Sequence, residues 1–156
     1  MVSSQVAPGE LESIRTLLNT WSIPNDSRTP TDAFTGPADL RALRDDIRRA
    51  VEDRSYDGLN RWISRLHVRP LIGDGELAWQ GRGTLSPVLA TVLAAVADGT
   101  WQRLKACPDC RWIFYDNTRN ASKRWCLMTA GSPTGRSCGS IAKVRAFRQR
   151  TGLKNT

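Results

Sequence analysis

All four cysteines of the chain fall within 32 residues of its C-terminal third: Cys107, Cys110, Cys126 and Cys138. The pattern is C-x2-C, then 15 residues, C, then 11 residues, C. A Cys-x-x-Cys pair closes a tight turn that aims two sulfurs at one point. Four thiolates are the donor set of a structural zinc ion. The first three cysteines match a zinc-ribbon-like spacing, and the interval before Cys138 is longer than such ribbons use. The alternatives are four unrelated thiols or a redox pair at Cys107/Cys110. A redox pair would follow a strand and open a helix, whereas here a basic tail follows. Catalytic zinc would need an open coordination position, and no His-Glu pair stands near. A segment this short buries too little apolar surface to fold by itself, so a bound ion would supply the missing stability.

Charge is split along the chain. Residues 1–100 carry 11 Arg and no Lys against 13 acidic side chains, a net of −2. Residues 101–156 carry 12 Lys+Arg against Asp109 and Asp116 alone, a net of +10. A basic block beside a near-neutral one points to a polyanion, most often nucleic acid; a solvated basic face is the plainer reading. No apolar run is long enough to span a bilayer, Leu85–Val96 being the longest. The first residues lack the build of a signal peptide, so a cytoplasmic location is expected. Thiols stay reduced there, which favours metal over disulfides.

The length of 156 residues suits one modest core. Gly9–Trp21 reads as a helix, with Leu11, Ile14, Leu17 and Leu18 on one face. Ser22–Pro37 is rich in Pro, Thr, Asp and Asn and reads as an unusually long loop. Asn19, Arg28 and Asp32 lie around it, in capping and turn roles or, alternatively, lining an effector pocket. A second helix runs from Pro37–Ala38 to Glu52 on a stripe of Leu40, Leu43, Ile47 and Val51. Its Arg44, Asp45, Arg48 and Arg49 are expected to be solvated. A third covers Tyr56–Leu66, with Leu59, Trp62, Ile63 and Leu66 inward. The period then changes: Val68–Ile72 and Glu76–Gln80 read as strands around Gly73-Asp74-Gly75. The lone histidine, His67, reads as ordinary structure. A fourth helix, Leu85–Asp98, is apolar nearly all round and is expected at the centre of the core. Beyond Cys110, residues 111–115 read as a strand and Thr118–Trp125 as a short helical turn. Ser140–Thr151 reads as a final helix stopped by Gly152. The fold class is thus mainly α with a short β-hairpin: a helical domain over 1–102 and a small zinc-binding module over 103–156.

The residues Cys107-Pro-Asp-Cys110, Phe114-Tyr-Asp116, Thr118-Arg-Asn120, Lys123-Arg-Trp-Cys126-Leu-Met128, Cys138-Gly139, Ala142-Lys-Val-Arg145 and Phe147 resemble the CGNR zinc finger. That module commonly ends bacterial proteins described as stress-induced transcription regulators, whose N-terminal part is the ABATE domain. Leu17-Leu-Asn-Thr-Trp21 is similar to a stretch near the start of that domain. The resemblance implies zinc on the four cysteines and DNA as partner. Two departures stand out. The naming tetrapeptide reads Cys138-Gly139-Ser140-Ile141 here, where Ser140 can still cap a helix but Ile141 cannot replace an arginine. Gly131–Ser137, with Arg136, reads as an inserted loop.

Phosphate contacts are expected from Arg119, Lys123, Arg124, Lys143, Arg145, Arg148 and Arg150, which suit gripping of the DNA backbone more than base reading. Ile141, Val144 and Phe147 form the apolar stripe of the last helix. Trp112, Phe114 and Trp125 are expected in the core around the metal, stacking on bases being the alternative. The expectation for the whole chain is a DNA-binding transcriptional regulator with structural zinc and double-stranded DNA as partner, with no membrane contact, and able to form a homodimer. The alternatives are a zinc-stapled protein-interaction factor, associated with RNA polymerase or another transcription factor, and a thiol redox sensor. No Ser/His/Asp set, phosphate-cradling loop or carboxylate pair stands out, so an enzyme is not expected.

Overall fold

The computed structural model describes residues 5–127 and 137–152. Met128, Arg136 and the expected inserted loop up to Ser137 therefore fall outside the described residues. Four helices build the N-terminal part: α1 (Leu11–Leu18), α2 (Ala38–Glu52), α3 (Asp57–Arg65) and α4 (Ser86–Asp98). Strands β1 (Trp21–Ser22) and β2 (Thr31–Asp32) pair across the long loop. Strands β3 (Arg69–Gly73) and β4 (Glu76–Gln80) form the expected hairpin between α3 and α4. A 3-10 turn, Thr100–Arg103, leads into β5 (Leu104–Ala106), which pairs antiparallel with β6 (Ile113–Tyr115). Helix α5 (Cys138–Thr151) ends the described chain. Among the described residues, no helix is long and apolar enough to cross a membrane.

The stripe of α2 works as its spacing predicts: Leu43, Ile47, Ala50 and Val51 are buried against Leu11, Ile14 and Leu18 of α1 and Leu89, Val92 and Ala95 of α4. The first helix is shorter than expected. Asn19 closes it, and Trp21 begins β1. The β3–β4 turn is Asp74-Gly75, both at positive φ (51° and 79°), as a two-residue hairpin of the right twist requires. His67 also sits at positive φ, in the turn leading to β3, and is exposed.

Three expectations need correction here. Helix α4 is not buried all round: Ser86, Leu89, Val92 and Ala95 face the core, while Val96 is 47% exposed. The hairpin covers only one flank of it. On α2, Arg44 and Arg48 are not solvated. Arg44 makes a two-pronged pair with Asp32 (2.7 and 2.8 Å), and Arg48 donates to the carbonyls of Leu18 and Trp21 (2.8 and 3.2 Å) and to that of Arg111. The Arg48 guanidinium also lies 4.4 Å from the Trp21 ring centroid. These two arginines serve as polar rivets between α2 and the loops, which their charge alone did not reveal. Finally, Thr118–Trp125 is not helical. Asp116 organises that stretch instead, as described below.

Strand β6 decides the architecture around the cysteines. Side chains alternate across a strand. Ile113 and Tyr115 point into the helical core, joined by Leu104 from β5, while Phe114 between them points the other way, onto the four cysteines. One strand is thus a wall shared by two cores.

Candidate metal centre

The knuckle is the tip of the β5–β6 hairpin. Cys107 N–H donates to Trp112 O (2.9 Å) and Arg111 N–H donates to Cys107 O (2.8 Å), so the ladder continues to the turn. Arg111 takes up a left-handed backbone (φ 61°), which lets the chain reverse directly after Cys110. Cys126 comes from the loop after β6. Cys138 is the first residue of α5, capped by Ser137, whose hydroxyl accepts from Ser140 N–H (3.3 Å). The expected cap at Ser140 is therefore Ser137, and the helix starts two residues earlier than its periodicity suggests. Gly152 stops it in the left-handed region as expected (φ 67°).

The four Sγ atoms lie within 4.8 Å of one another, and every one of the cysteines is buried. Cys110 and Cys126 sulfurs are 3.4 Å apart, Cys126 and Cys138 sulfurs 3.7 Å. Both are far beyond a disulfide bond of about 2.05 Å. Both are near the edge of about 3.8 Å of a tetrahedron with ~2.3 Å zinc–sulfur bonds. The thiols also set one another's protonation. Hydrogen bonds from Cys110 and then Cys126 hold the Cys107 thiol far below its ordinary value. Burial, then the charge of Cys107, pushes Cys138 up to about 12. Cys110 is raised in turn by its bond to Cys107. With no cation the cluster therefore holds one thiolate among neutral thiols; four deprotonated sulfurs this close need a cation between them, and as thiolates they are the donor set of a soft divalent ion. Bound there, the ion would tie the hairpin tip, the following loop and α5 together.

Residues 103–151 match the family model of the CGNR zinc finger. No curated protein and no solved structure matches the chain. The finger's Cys-Gly pair has a packing reason. A Cβ on Gly139 would stand 3.2 Å from Trp125 Cδ1 and 3.3 Å from its Cγ, tighter than ordinary contact. Trp112 and Trp125 pack half-buried beside the sulfurs, and Phe114 is fully enclosed, as expected of core aromatics.

Asp116 is the residue the charge count undervalued. It is fully buried. Its Oδ1 accepts from Thr118 N–H (3.0 Å) and from the Thr118 hydroxyl (2.5 Å). Its Oδ2 accepts from Lys123 N–H and Lys105 Nζ, both at 2.8 Å. Burial would raise its pKa, but the Lys105 and Thr118 bonds outweigh that and hold it well below the carboxylate range. Lys105 also donates to Lys123 O (3.1 Å), and Arg103 donates to Asp116 O (2.9 Å) and Thr118 O (2.6 Å). Part of the finger's positive charge is therefore internal, holding the loop that delivers Cys126.

Besides Arg48, several groups of the N-terminal part bond to the finger, among them Arg15, Glu52 and Arg54. Asn19 donates to Ile113 O (2.8 Å) and accepts from Ile113 N–H (2.9 Å), acting as an extra strand partner for β6. Gln5 O accepts from Tyr115 N–H (3.1 Å), and Gln5 Oε1 accepts from Leu127 N–H (2.9 Å). The long loop places Asn25 beside Cys138 and Arg28 on Asp109. Asn19, Arg28 and Asp32 thus do not converge on one pocket. Asp32 alone lines a polar cleft of about 370 Å³, with Trp21, Arg48, Glu52 and Arg111 among its other walls.

Of the expected phosphate contacts, Arg119 and Arg124 are exposed, the latter with its guanidinium 5.3 Å from the Trp125 ring centroid, and Lys123 is half-buried. Lys143, Arg145, Arg148 and Arg150 are exposed on α5. The apolar stripe needs correction. Ile141 and Val144 are half-buried, but Phe147 is 54% exposed. At i, i+4 and i+7 it shares a face with Lys143 and Arg150 instead. Arg145 points a guanidinium nitrogen at Asp109, 3.7 Å away.

Proposed function

We propose that this chain is a DNA-binding transcriptional regulator in which zinc on Cys107, Cys110, Cys126 and Cys138 is structural. The observation that supports this best is the seating of α5. Its first residue belongs to the cysteine cluster, while Lys143, Arg145, Arg148 and Arg150 are exposed along it. A bound ion would fix the base of a basic helix and leave its length to reach duplex DNA. Lys143, Phe147 and Arg150 make one face, suited to phosphates with an aromatic between them. Arg119 and Arg124 extend the positive surface from the loop before Cys126. Gripping of this kind is salt-dependent, because each neutralised phosphate releases counterions. Ile141 stands half-buried where the family carries arginine, so sequence discrimination falls to the other basic residues. The N-terminal part, whose resemblance is to the ABATE domain, would receive a signal, dimerise or contact the transcription machinery.

Fluorescence anisotropy of the zinc-loaded protein against labelled genomic fragments tests the reading. Binding that weakens steeply with salt is expected, and no salt-dependent binding to any fragment would reject it. A second reading, a zinc-stapled protein-interaction factor, is favoured by Ile72 and Leu77, 78% and 54% exposed on the β3–β4 hairpin. Capture of RNA polymerase by the purified protein in the absence of DNA, lost on Ile72→Ser, would favour that reading over the first.

A further inference from the structure

Cys138 differs from the other three cysteines in how it is held. Cys107 and Cys110 are fixed by the hairpin ladder, and Cys126 follows the loop that Asp116 ties down. Cys138 lies 12 positions after Cys126, and its sulfur meets a side chain from the other end of the sequence. Asn25 Nδ2 is 3.7 Å from Cys138 Sγ. Its Oδ1 stands 3.8 Å from the same sulfur but accepts from Arg28 Nη1 (3.1 Å), and a thiolate has no proton to give it, so Nδ2 is the atom that can donate to a metal-bound sulfur. Arg28 is itself anchored on the knuckle: its Nη2 reaches Asp109 Oδ1 (3.2 Å) and the Asp109 carbonyl (3.3 Å). The Asp109 side chain is 4% exposed and lies between Cys107 and Cys110 in sequence. Arg28 adopts a left-handed backbone (φ 55°), a conformation a non-glycine residue holds when its surroundings demand it. A continuous chain of contacts therefore runs from the first ligand pair through Asp109, Arg28 and Asn25 to the last ligand.

We infer that Asn25, oriented by Arg28, is a positioning residue of the metal centre that donates a hydrogen bond to the Cys138 thiolate and so makes the long N-terminal loop part of the site. The inference rests on the zinc reading above. An N–H donor on a metal-bound sulfur withdraws electron density from it. The thiolate is then less nucleophilic and less easily protonated off the metal. Because Asn25 belongs to the loop between β1 and β2, any ligand or partner that moves this loop would loosen the ligand on which α5 is rooted. The composition of the loop carried no sign of this. Its Pro, Asn and Asp residues read as turn formers, and only the tertiary arrangement puts one of them against a sulfur.

The test uses the full chain, zinc-loaded. For Asn25→Ala, competition with a chromophoric chelator is expected to show zinc affinity reduced about 10–100-fold. Alkylation by N-ethylmaleimide, mapped by mass spectrometry, is expected to rise at Cys138 by about tenfold relative to Cys107. The cobalt-substituted variant should show a shifted sulfur-to-metal charge-transfer band. Arg28→Ala should move all three readouts the same way by less. It serves as the deciding variant if Asn25→Ala does not fold. An unchanged affinity with an unchanged Cys138-to-Cys107 ratio would overturn the inference, as would a rise in reactivity equal at all four cysteines, the mark of general loosening. A wild-type protein that holds no zinc would overturn the metal reading and this inference together. A wild type that holds zinc beside an unaltered Asn25→Ala overturns this inference alone.

Discussion

The two faces of strand β6 show two ways of building a core. On one side, Ile113 and Tyr115 join Leu18, Leu43, Ile47 and Leu89 in apolar packing that needs no partner chemistry. On the other, Phe114 stands over four buried thiols, with a buried carboxylate two residues on. The apolar side is stabilised by area removed from water. The thiol side removes polar groups from water and recovers the cost only through hydrogen bonds, ion pairs and a metal. The contrast teaches that the finger is held by specific chemistry at a few atoms, whereas the helical part is held by many interchangeable contacts. The finger should therefore fail abruptly and the helical part gradually.

The largest expected effect is metal removal. Structural zinc contributes on the order of 10 kcal/mol in small modules, so a chelator or Cys107→Ser should abolish the near-UV dichroism of Trp112 and Trp125. Because Leu104, Ile113 and Tyr115 belong to the helical core, the thermal midpoint of the whole chain should fall as well. An unaltered midpoint for α1–α4 would show that the two sides of β6 are energetically separate. Next comes Ile47→Ala, with an expected loss of about 2–5 kcal/mol by denaturant titration. The folded fraction should still bind one equivalent of metal, measured by elemental analysis. A loss of metal in that fraction would break the distinction between the two sides.

Asp116→Asn should cost about 2 kcal/mol, since it removes the charged partner of Lys105 while the threonine bond can persist. Its pH signature is separate. A carboxyl depressed in the folded state contributes stability that is fully present above its unfolded value of about 4 and is lost as pH falls toward the folded one. Wild-type stability should therefore drop below about pH 4 with a slope that Asp116→Asn reduces, as acid titration followed by circular dichroism would show. Asn19→Ala should cost about 1–2 kcal/mol, by leaving the Ile113 peptide groups without their partner. Hydrogen exchange should speed up at Ile113 before it does in α2. The smallest effect on stability is expected for Arg150→Ala, within about 0.5 kcal/mol. Under the proposed function it should nonetheless lower the salt slope of DNA binding by about one.

Much of the helical part was legible in the sequence. The spacing of Leu40, Leu43, Ile47 and Val51 placed α2, and Gly73-Asp74-Gly75 placed the β3–β4 turn, because periodicity and turn chemistry are local properties. The cysteine set was legible for a different reason: a Cys-x-x-Cys knuckle followed closely by two further cysteines is a spacing signal in itself. What stayed hidden was non-local. Arg44 and Arg48 read as solvated because nothing near them in sequence announces Asp32 or the Leu18, Trp21 and Arg111 carbonyls. Thr118–Trp125 read as a helical turn because the pull of Asp116 on Thr118 and Lys123 is not a propensity. Phe147 read as part of a buried stripe because the sequence does not say how far the body of the protein extends along α5.

The sequence by itself determined the donor set, the order of the helices, the hairpin and the concentration of positive charge. Each of these follows from residue type and short-range spacing. The tertiary structure alone decided that β6 faces two cores, that Asp116 and Lys105 spend their charges internally, and that the N-terminal loop closes over Cys138. Those outcomes depend on which buried polar group meets which partner. In a folded chain that is settled by packing between segments that lie from about ten to more than a hundred residues apart, not by any segment's own preference.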